Sequence, residues 1–118
     1  MSIPGNQVVM FPSVTYNEGS GYNSSTGKFT APVSGVYAFT KQTCTIHRYA
    51  HTALVHNNQT VLTAESYSNM IASCTSAYTF VQMSKRDQMW VITTSVSHFF
   101  DVDPYQKTSF AGALVVLL

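Results

Sequence analysis

Apolar and polar residues alternate along much of the chain with a period of two. Tyr37 and Phe39 fall on one face of a run that is otherwise small or polar, and Tyr78 and Phe80 share one face of another. Residues 89–92 are apolar on both faces. Strict alternation is typical of a half-buried β-strand, and a short, wholly apolar run is typical of a strand covered on both sides. The pattern therefore predicts strands rather than helices.

The stretch between Gly35 and Pro104 contains neither glycine nor proline, which would permit a long helix. Its residues are mainly Thr, Val, Ile, Tyr, Phe and Ser, which favour strands over helices. Turn signals separate the apolar runs, namely at 17–21, 32–35, 57–60, 84–88 and 101–104. We expect one all-β domain over residues 1–118, built as an antiparallel sandwich.

The C-terminal segment 111–118 contains no polar side chain. Strict alternation would place two apolar rows on opposite faces: Phe110, Leu114, Val116 and Leu118 on one, and Ala111, Ala113, Val115 and Leu117 on the other. A strand with two apolar faces must be covered on both, whereas a small sandwich covers one face of each sheet. We therefore expect another subunit to cover the second face, the alternative being a central strand beneath a loop.

Composition excludes several classes of function. Only 9% of the 118 residues are charged and the net charge is +1, against ~25% charged residues in ordinary soluble domains. Nucleic-acid binding needs a dense positive field and is not expected. No apolar run reaches the ~18 residues of a membrane span. The first residues lack the features of a secretion signal, so the chain is either leaderless or has lost its leader.

Motifs for catalysis or metal binding are weak. His47 and His51 have the spacing of zinc ligands on a helix, but on a strand they would lie ~13 Å apart, too far to share a metal. No Gly-x-Ser-x-Gly sequence is present, so no enzyme is expected. The two cysteines allow one disulfide or two free thiols. Asn23 and Asn58 each begin a sequence that fits the N-glycosylation sequon.

Five motifs follow one another along the chain. They are Val-Val-Met-Phe at 8–11, the run from Tyr22 to Phe39 with its Thr-Gly, Phe-Thr and Pro-Val-Ser-Gly-Val-Tyr, Ala-Leu-Val-His-Asn-Asn at 53–58, Asp-Gln-Met-Trp-Val at 87–91 and Ser-Phe-Ala-Gly-Ala-Leu at 109–114. Together, and in this order, they resemble the globular-head domain of complement C1q. The resemblance extends to stand-alone C1q-domain lectins of invertebrates such as bivalve molluscs. It implies a C1q/TNF-like jelly-roll sandwich of two antiparallel sheets, here with the family's first strand either absent or truncated and without a collagen stalk.

The resemblance also implies an assembly and a site. The expected protein is secreted and extracellular, and forms a homotrimer or a heterotrimer with a related chain. Cys44 and Cys74 would face each other across neighbouring strands as a disulfide. Three loops at the apex would bind glycans with N-acetylhexosamines through Arg48, Tyr49, His51, Glu65, Tyr67, Asn69, Asp101, Asp103, Tyr105 and Lys107.

Cofactors and rival functions complete the expectation. Asp101 and Asp103 flank Val102 and could hold calcium, since paired carboxylates suit it. The segment Glu65-Ser66-Tyr67 lies where some family members have what looks like an Asp-Tyr calcium loop. Ser66 stands where the acid would be and Glu65 is displaced by one position, which does not favour calcium. No cofactor is therefore expected. The alternatives to a lectin are a cytokine-like ligand of protein receptors, as in the tumour-necrosis-factor type, and a structural component without a ligand site.

Overall fold

The computed structural model describes residues 2–10, 21–45, 49–67, 73–95, 97–98 and 109–118. This part of the chain forms strands and no helix. The strands are β1 (Ser2–Ile3), β2 (Tyr22–Asn23), β3 (Lys28–Thr30), β4 (Gly35–Thr45), β5 (Tyr49–His56), β6 (Gln59–Tyr67), β7 (Ser73–Met83), β8 (Gln88–Thr93), β9 (Ser97–His98) and β10 (Ser109–Leu117).

All strand pairs are antiparallel, and they form two main sheets. One sheet has five strands in the order β2-β3-β8-β5-β6, and the other has three in the order β10-β4-β7. A short ladder joins β1 to β9. The predicted all-β sandwich of two antiparallel sheets is confirmed. Among the described residues no strand pairs with the free side of β10, which is the edge of its sheet.

The core lies between the two sheets because each contributes one row of alternating residues. Tyr37 and Phe39 on β4 are buried, as their shared face predicted. The ring of Phe29 on β3 meets both edge-on, with centroids 5.5 Å and 5.4 Å away. Leu54 and Val91 add fully buried side chains from the five-stranded sheet. Edge-to-face rings of this kind add to the free energy gained by burying apolar area.

The N-terminal segment lies along β8 beyond the end of β3. Asn6 N–H donates to the Thr93 carbonyl at 2.7 Å, and Thr93 N–H donates to the carbonyl of Gln7 at 2.9 Å. Further along, Val9 N–H donates to the carbonyl of Val91 at 2.8 Å. These bonds satisfy the edge of β8 that β3 leaves open.

The C-terminal strand departs from the predicted alternation. β10 pairs with β4 in regular register from Ser109 to Leu114, and the register then shifts before Val116. Val115 is the extra residue of a β-bulge, so Val116 lies opposite Val36, on the outer side of the sheet. The strict two-row assignment is therefore wrong beyond Leu114, because one inserted residue exchanges the two faces.

Candidate functional site

Four predicted glycan-binding residues occupy paired positions on two neighbouring strands. In the register of β5 and β6, Tyr49 lies opposite Tyr67 and His51 lies opposite Glu65. All four positions alternate onto the same face of the five-stranded sheet. The His51 backbone N–H donates to Ser97 Oγ at 2.8 Å, and Ser97 Oγ–H donates to the His51 carbonyl at 3.1 Å. These bonds fix the start of β5 against β9.

The other predicted ligand residues lie outside the described residues: Arg48, Asn69, Asp101, Asp103, Tyr105 and Lys107. The strand ends that flank them can be placed. Thr45 at the end of β4 lies opposite Ser73 at the start of β7, and Ser109 at the start of β10 lies opposite Gln42. These strand ends therefore lie at one end of the three-stranded sheet.

A disulfide joins Cys44 to Cys74 near the same end. The two residues face each other directly in the register of β4 and β7, and 30 residues separate them in sequence. Cys44 is fully buried. The predicted cross-strand bond is confirmed, and it ties the end of β4 to the start of β7.

The interior of the sandwich becomes polar toward this end, which sequence reasoning missed. Beyond Phe39, the inward positions of β4 are occupied by Lys41, Thr43 and Thr45, each at most 1% exposed. Lys41 Nζ donates to Thr52 Oγ1 on β5. The sequence does contain a signal for the inward direction of Lys41, because simple alternation places it on the same face as Tyr37 and Phe39. An amine is costly to bury without a carboxylate, so its low exposure was not expected.

Burial lowers the pKa of Lys41 to about 8. The unfolded chain binds that proton more tightly, so the charged lysine opposes folding below about pH 8, and the penalty disappears as pH rises to about 10.5. We expect the free energy of unfolding to rise by about 3 kcal/mol across that interval. Urea unfolding at a series of pH values measures the rise.

The variant Lys41→Met isolates this contribution. It should raise the free energy of unfolding at pH 7 and abolish the additional rise above pH 8, because the buried amine is gone. Lys85→Met removes the same charge from an exposed position and is the matched control. A profile for Lys41→Met that still follows the parent above pH 8 would contradict the assignment.

The outer face of the three-stranded sheet is apolar and exposed. We define this outer face by eight residues that alternate away from the core on β4, β7 and β10: Val36, Ala38, Thr40, Tyr78, Phe80, Ala111, Ala113 and Val116. Polar residues alternate to the same side at its two ends, Gln82 at one and Gln42, Ser76 and Ser109 at the other. None of them is charged. Tyr78, Phe80 and Val116 are 59%, 57% and 50% exposed. An apolar patch of this kind marks an interaction surface.

Aromatic and small residues give the outer face its relief. The rings of Tyr78 and Phe80 meet edge-on, with centroids 5.1 Å apart, and they stand above the neighbouring alanines. Beside them lies a shallow groove of about 180 Å³, lined by Ala38, Phe39, Thr40, Tyr78, Ala111, Gly112 and Ala113. At Gly112, an added Cβ would approach the Phe39 ring to 2.6 Å. The glycine therefore lets the backbone of β10 lie close over that ring.

At the opposite end of the sandwich, a hydrogen bond between the side chains of His56 and Asp87 joins two turns. His56 Nε2 and Asp87 Oδ2 are 3.0 Å apart, and Ser84 N–H also donates to Asp87 Oδ2 at 3.0 Å. The side-chain hydrogen bond with His56 contributes most to holding the pKa of Asp87 below its ordinary value. Hydrogen bonds with the Asn57 side chain and the Ser84 backbone lower the pKa further. This pair fixes the position of the β5–β6 turn relative to β8.

A two-sheet antiparallel sandwich of this topology, with an exposed apolar face on one sheet, defines the jelly-roll class of β-domains. The C1q domain model matches residues 1–115, and the chain belongs to the C1q domain family. The chain is 30% identical over 109 residues to mouse complement C1q tumor necrosis factor-related protein 2, covering 91% of the chain and 37% of that protein. It is 34% identical over 116 residues to mouse C1q and tumor necrosis factor-related protein 9, covering 95% and 34%. The chain spans about a third of the length of these curated relatives.

Solved structures show the same fold. The globular domain of zebrafish complement 1qA matches with a TM-score of 0.76 at 18% identity, covering all of this chain and 93% of that one. The Eiger TNF of S. frugiperda matches with a TM-score of 0.67 at 17% identity, covering 100% and 84%. The predicted C1q/TNF-like jelly roll is confirmed, and membership in this family confirms that the chain is not an enzyme.

Two further observations bear on the site. Within the described residues, no group of three His, Cys, Asp or Glu side chains is placed to hold a metal ion. The same part of the chain contains no helix with the length and hydrophobicity needed to cross a bilayer.

Proposed function

We propose that the chain is a secreted recognition protein that assembles into a trimer and binds N-acetylated sugars on microbial or cell-surface glycans in innate immunity. It would assemble with two copies of itself or with related chains. The observation that carries the proposal is the outer face, which is apolar, uncharged and exposed in a single chain. The sugar class follows from the stand-alone C1q-domain lectins that the motifs resemble.

Assembly through the outer face would create the binding geometry. Packing around a threefold axis gives a closed assembly with no unsatisfied interface, and it orients the same end of all three sandwiches in one direction. The ends of each sandwich, where His51 lies opposite Glu65, would stay uncovered. Each site would bind weakly alone, and three sites on one particle would gain avidity on a clustered glycan surface.

The residue types at the paired positions suit a sugar. Glu65 offers a carboxylate and His51 an imidazole for hydroxyl and acetamide groups, while Tyr49 and Tyr67 offer aromatic rings for the apolar side of a pyranose. These four residues belong to two adjacent strands in direct register. A shallow site on a strand end needs such short, rigid spacing between its hydrogen-bonding groups.

A glycan array with the purified protein tests the proposal. We expect retention on N-acetylhexosamines, competition by free sugar, and about a tenfold weaker signal for Glu65→Gln, the loss of about 1.4 kcal/mol that one charge-assisted hydrogen bond supplies. Gln59→Ala, at the other end of β6, is the matched control and should bind as the parent does. An assembled protein that ignores every sugar would contradict the lectin proposal.

A protein-receptor ligand is the second candidate. The relatives carry tumor necrosis factor-related names, and the fold also matches Eiger TNF. In this case the assembled chain would be indifferent to free sugars and would bind cell-surface protein. Removal of glycans from target cells separates the two functions, because it abolishes lectin binding and leaves receptor binding intact.

A further inference from the structure

The β5–β6 hairpin ends in a two-residue turn made of asparagines. His56 pairs with Gln59, which leaves Asn57 and Asn58 as the turn. Their φ angles are 47° and 71°, in the left-handed region. Positive φ at both central residues is the hairpin turn that matches the twist of the strands, and asparagine tolerates it well. The sequence therefore fixes a rigid, tight tip here.

The two asparagines have different surroundings. Asn57 Oδ1 accepts a hydrogen bond from Gln88 N–H at 2.8 Å, and Asn57 N–H donates to the Gln88 carbonyl at 3.0 Å. The exposed Asn58 makes no side-chain hydrogen bond to any described residue. Asn57 thus anchors the turn to β8, and Asn58 presents a free carboxamide to solvent.

Asn58 begins the sequence Asn58-Gln59-Thr60, and all three residues are exposed. We propose that Asn58 is a site of N-glycosylation. The carboxamide Nδ2 would attack the anomeric carbon of a lipid-linked oligosaccharide diphosphate. The new carbon–nitrogen bond replaces the carbon–oxygen bond to the diphosphate, which leaves on its lipid, and a base takes one Nδ2 proton.

The place of Asn58 in the fold would keep an attached glycan clear of the assembly. β6 is an edge strand of the five-stranded sheet, and the outer face belongs to the other sheet of the sandwich. A glycan at this tip would also lie at the end away from the disulfide, since Tyr49 and Tyr67 mark the other end of the same hairpin. The inference rests on the proposed secretion, because the oligosaccharide is added in the secretory pathway.

The second sequon is in a different environment. Asn23 Oδ1 accepts a hydrogen bond from Ser25 N–H at 2.9 Å, and the Asn23 carbonyl accepts one from Gly27 N–H at 2.8 Å. The carboxamide is thus already part of a turn between β2 and β3. We propose a glycan at Asn58 alone, and the occupancy of Asn23 in the same chain serves as an internal comparison.

Site occupancy tests the proposal directly. For this experiment, the chain is expressed in eukaryotic cells with a foreign secretion signal and an added N-terminal tag that carries its own sequon. Enzymatic removal of N-glycans in heavy-oxygen water converts each occupied asparagine into a mass-labelled aspartate. We expect label at Asn58 in most chains, loss of that label in Thr60→Ala, and its retention in Thr60→Ser. Unlabelled Asn58 in chains whose tag is labelled would overturn the proposal.

A matched variant separates this result from the fate of the trimer. Gln82→Asn creates the sequence Asn-Met-Ser at an exposed position of β7, at one end of the outer face, where Gln82 lies opposite Val36. We expect the glycoform at Asn58 to keep the parent's assembly state, and glycan added through Gln82→Asn to reduce it to single chains. Label at Asn58 on a protein that is monomeric throughout supports glycosylation and contradicts the trimer. A trimer without label at Asn58 supports the assembly and contradicts glycosylation.

Discussion

The substitution Phe80→Glu is expected to convert the assembled protein into single chains. Phe80 is 57% exposed and lies opposite Ala38, which in turn lies opposite Ala113, so it stands near the middle of the outer face. A carboxylate there would be buried in every copy of the interface without a counter-charge. The cost is several kcal/mol for each buried charge, and the copies would also repel one another.

Size-exclusion chromatography with light scattering measures the change. The parent should elute with a mass near three times the 13.0 kDa of one chain, and Phe80→Glu should elute near 13.0 kDa. Val61→Glu places the same charge on another exposed apolar residue, 38% exposed on β6, and should leave the assembly intact. A variant with Phe80→Glu that still assembles at micromolar concentration would show that the outer face is not the interface.

Loss of the disulfide is expected to produce the largest change in stability. Replacing Cys44 and Cys74 together by serine removes a cross-link between residues 30 positions apart. In the chain-entropy model, closing such a loop restricts the unfolded chain by about 3–4 kcal/mol, which a small domain can hardly spare. The free energy of unfolding should fall by this amount.

Urea unfolding at one fixed protomer concentration measures the effect, because assembly makes apparent stability depend on concentration. The reduced parent is the control and should match the double serine variant, since both lack only the cross-link. A decrease of less than about 1 kcal/mol in the free energy of unfolding would contradict the expected role of the disulfide, because the chain-entropy model attributes its stabilisation to closing the long loop.

The fold was largely predictable because alternation survives in the long strands. Tyr37 and Phe39 were predicted to share one face and are both buried, while Tyr78 and Phe80 lie together on the exposed side. The bulge at Val115 was not predictable, because every residue near it is apolar and no polar position marks the register. The register there is visible only from the pairing with β4.

The candidate site was predictable only in part. The resemblance named residues in three loops, and the structure brings His51 opposite Glu65 and Tyr49 opposite Tyr67. The buried Lys41 was missed because alternation gives the direction of a side chain but not the depth of the interior it enters. Depth depends on how closely the five-stranded sheet covers β4, which is a property of the packed sandwich.

We expect copies of the chain to cover the outer face of the three-stranded sheet together. Light scattering across a range of concentrations gives the mass of the unmodified protein in solution and tests this assembly without any substitution. The expected result is a species of three chains that persists on dilution to micromolar protein. A species of 13.0 kDa throughout that range would contradict both the assembly and the avidity that the proposed recognition requires.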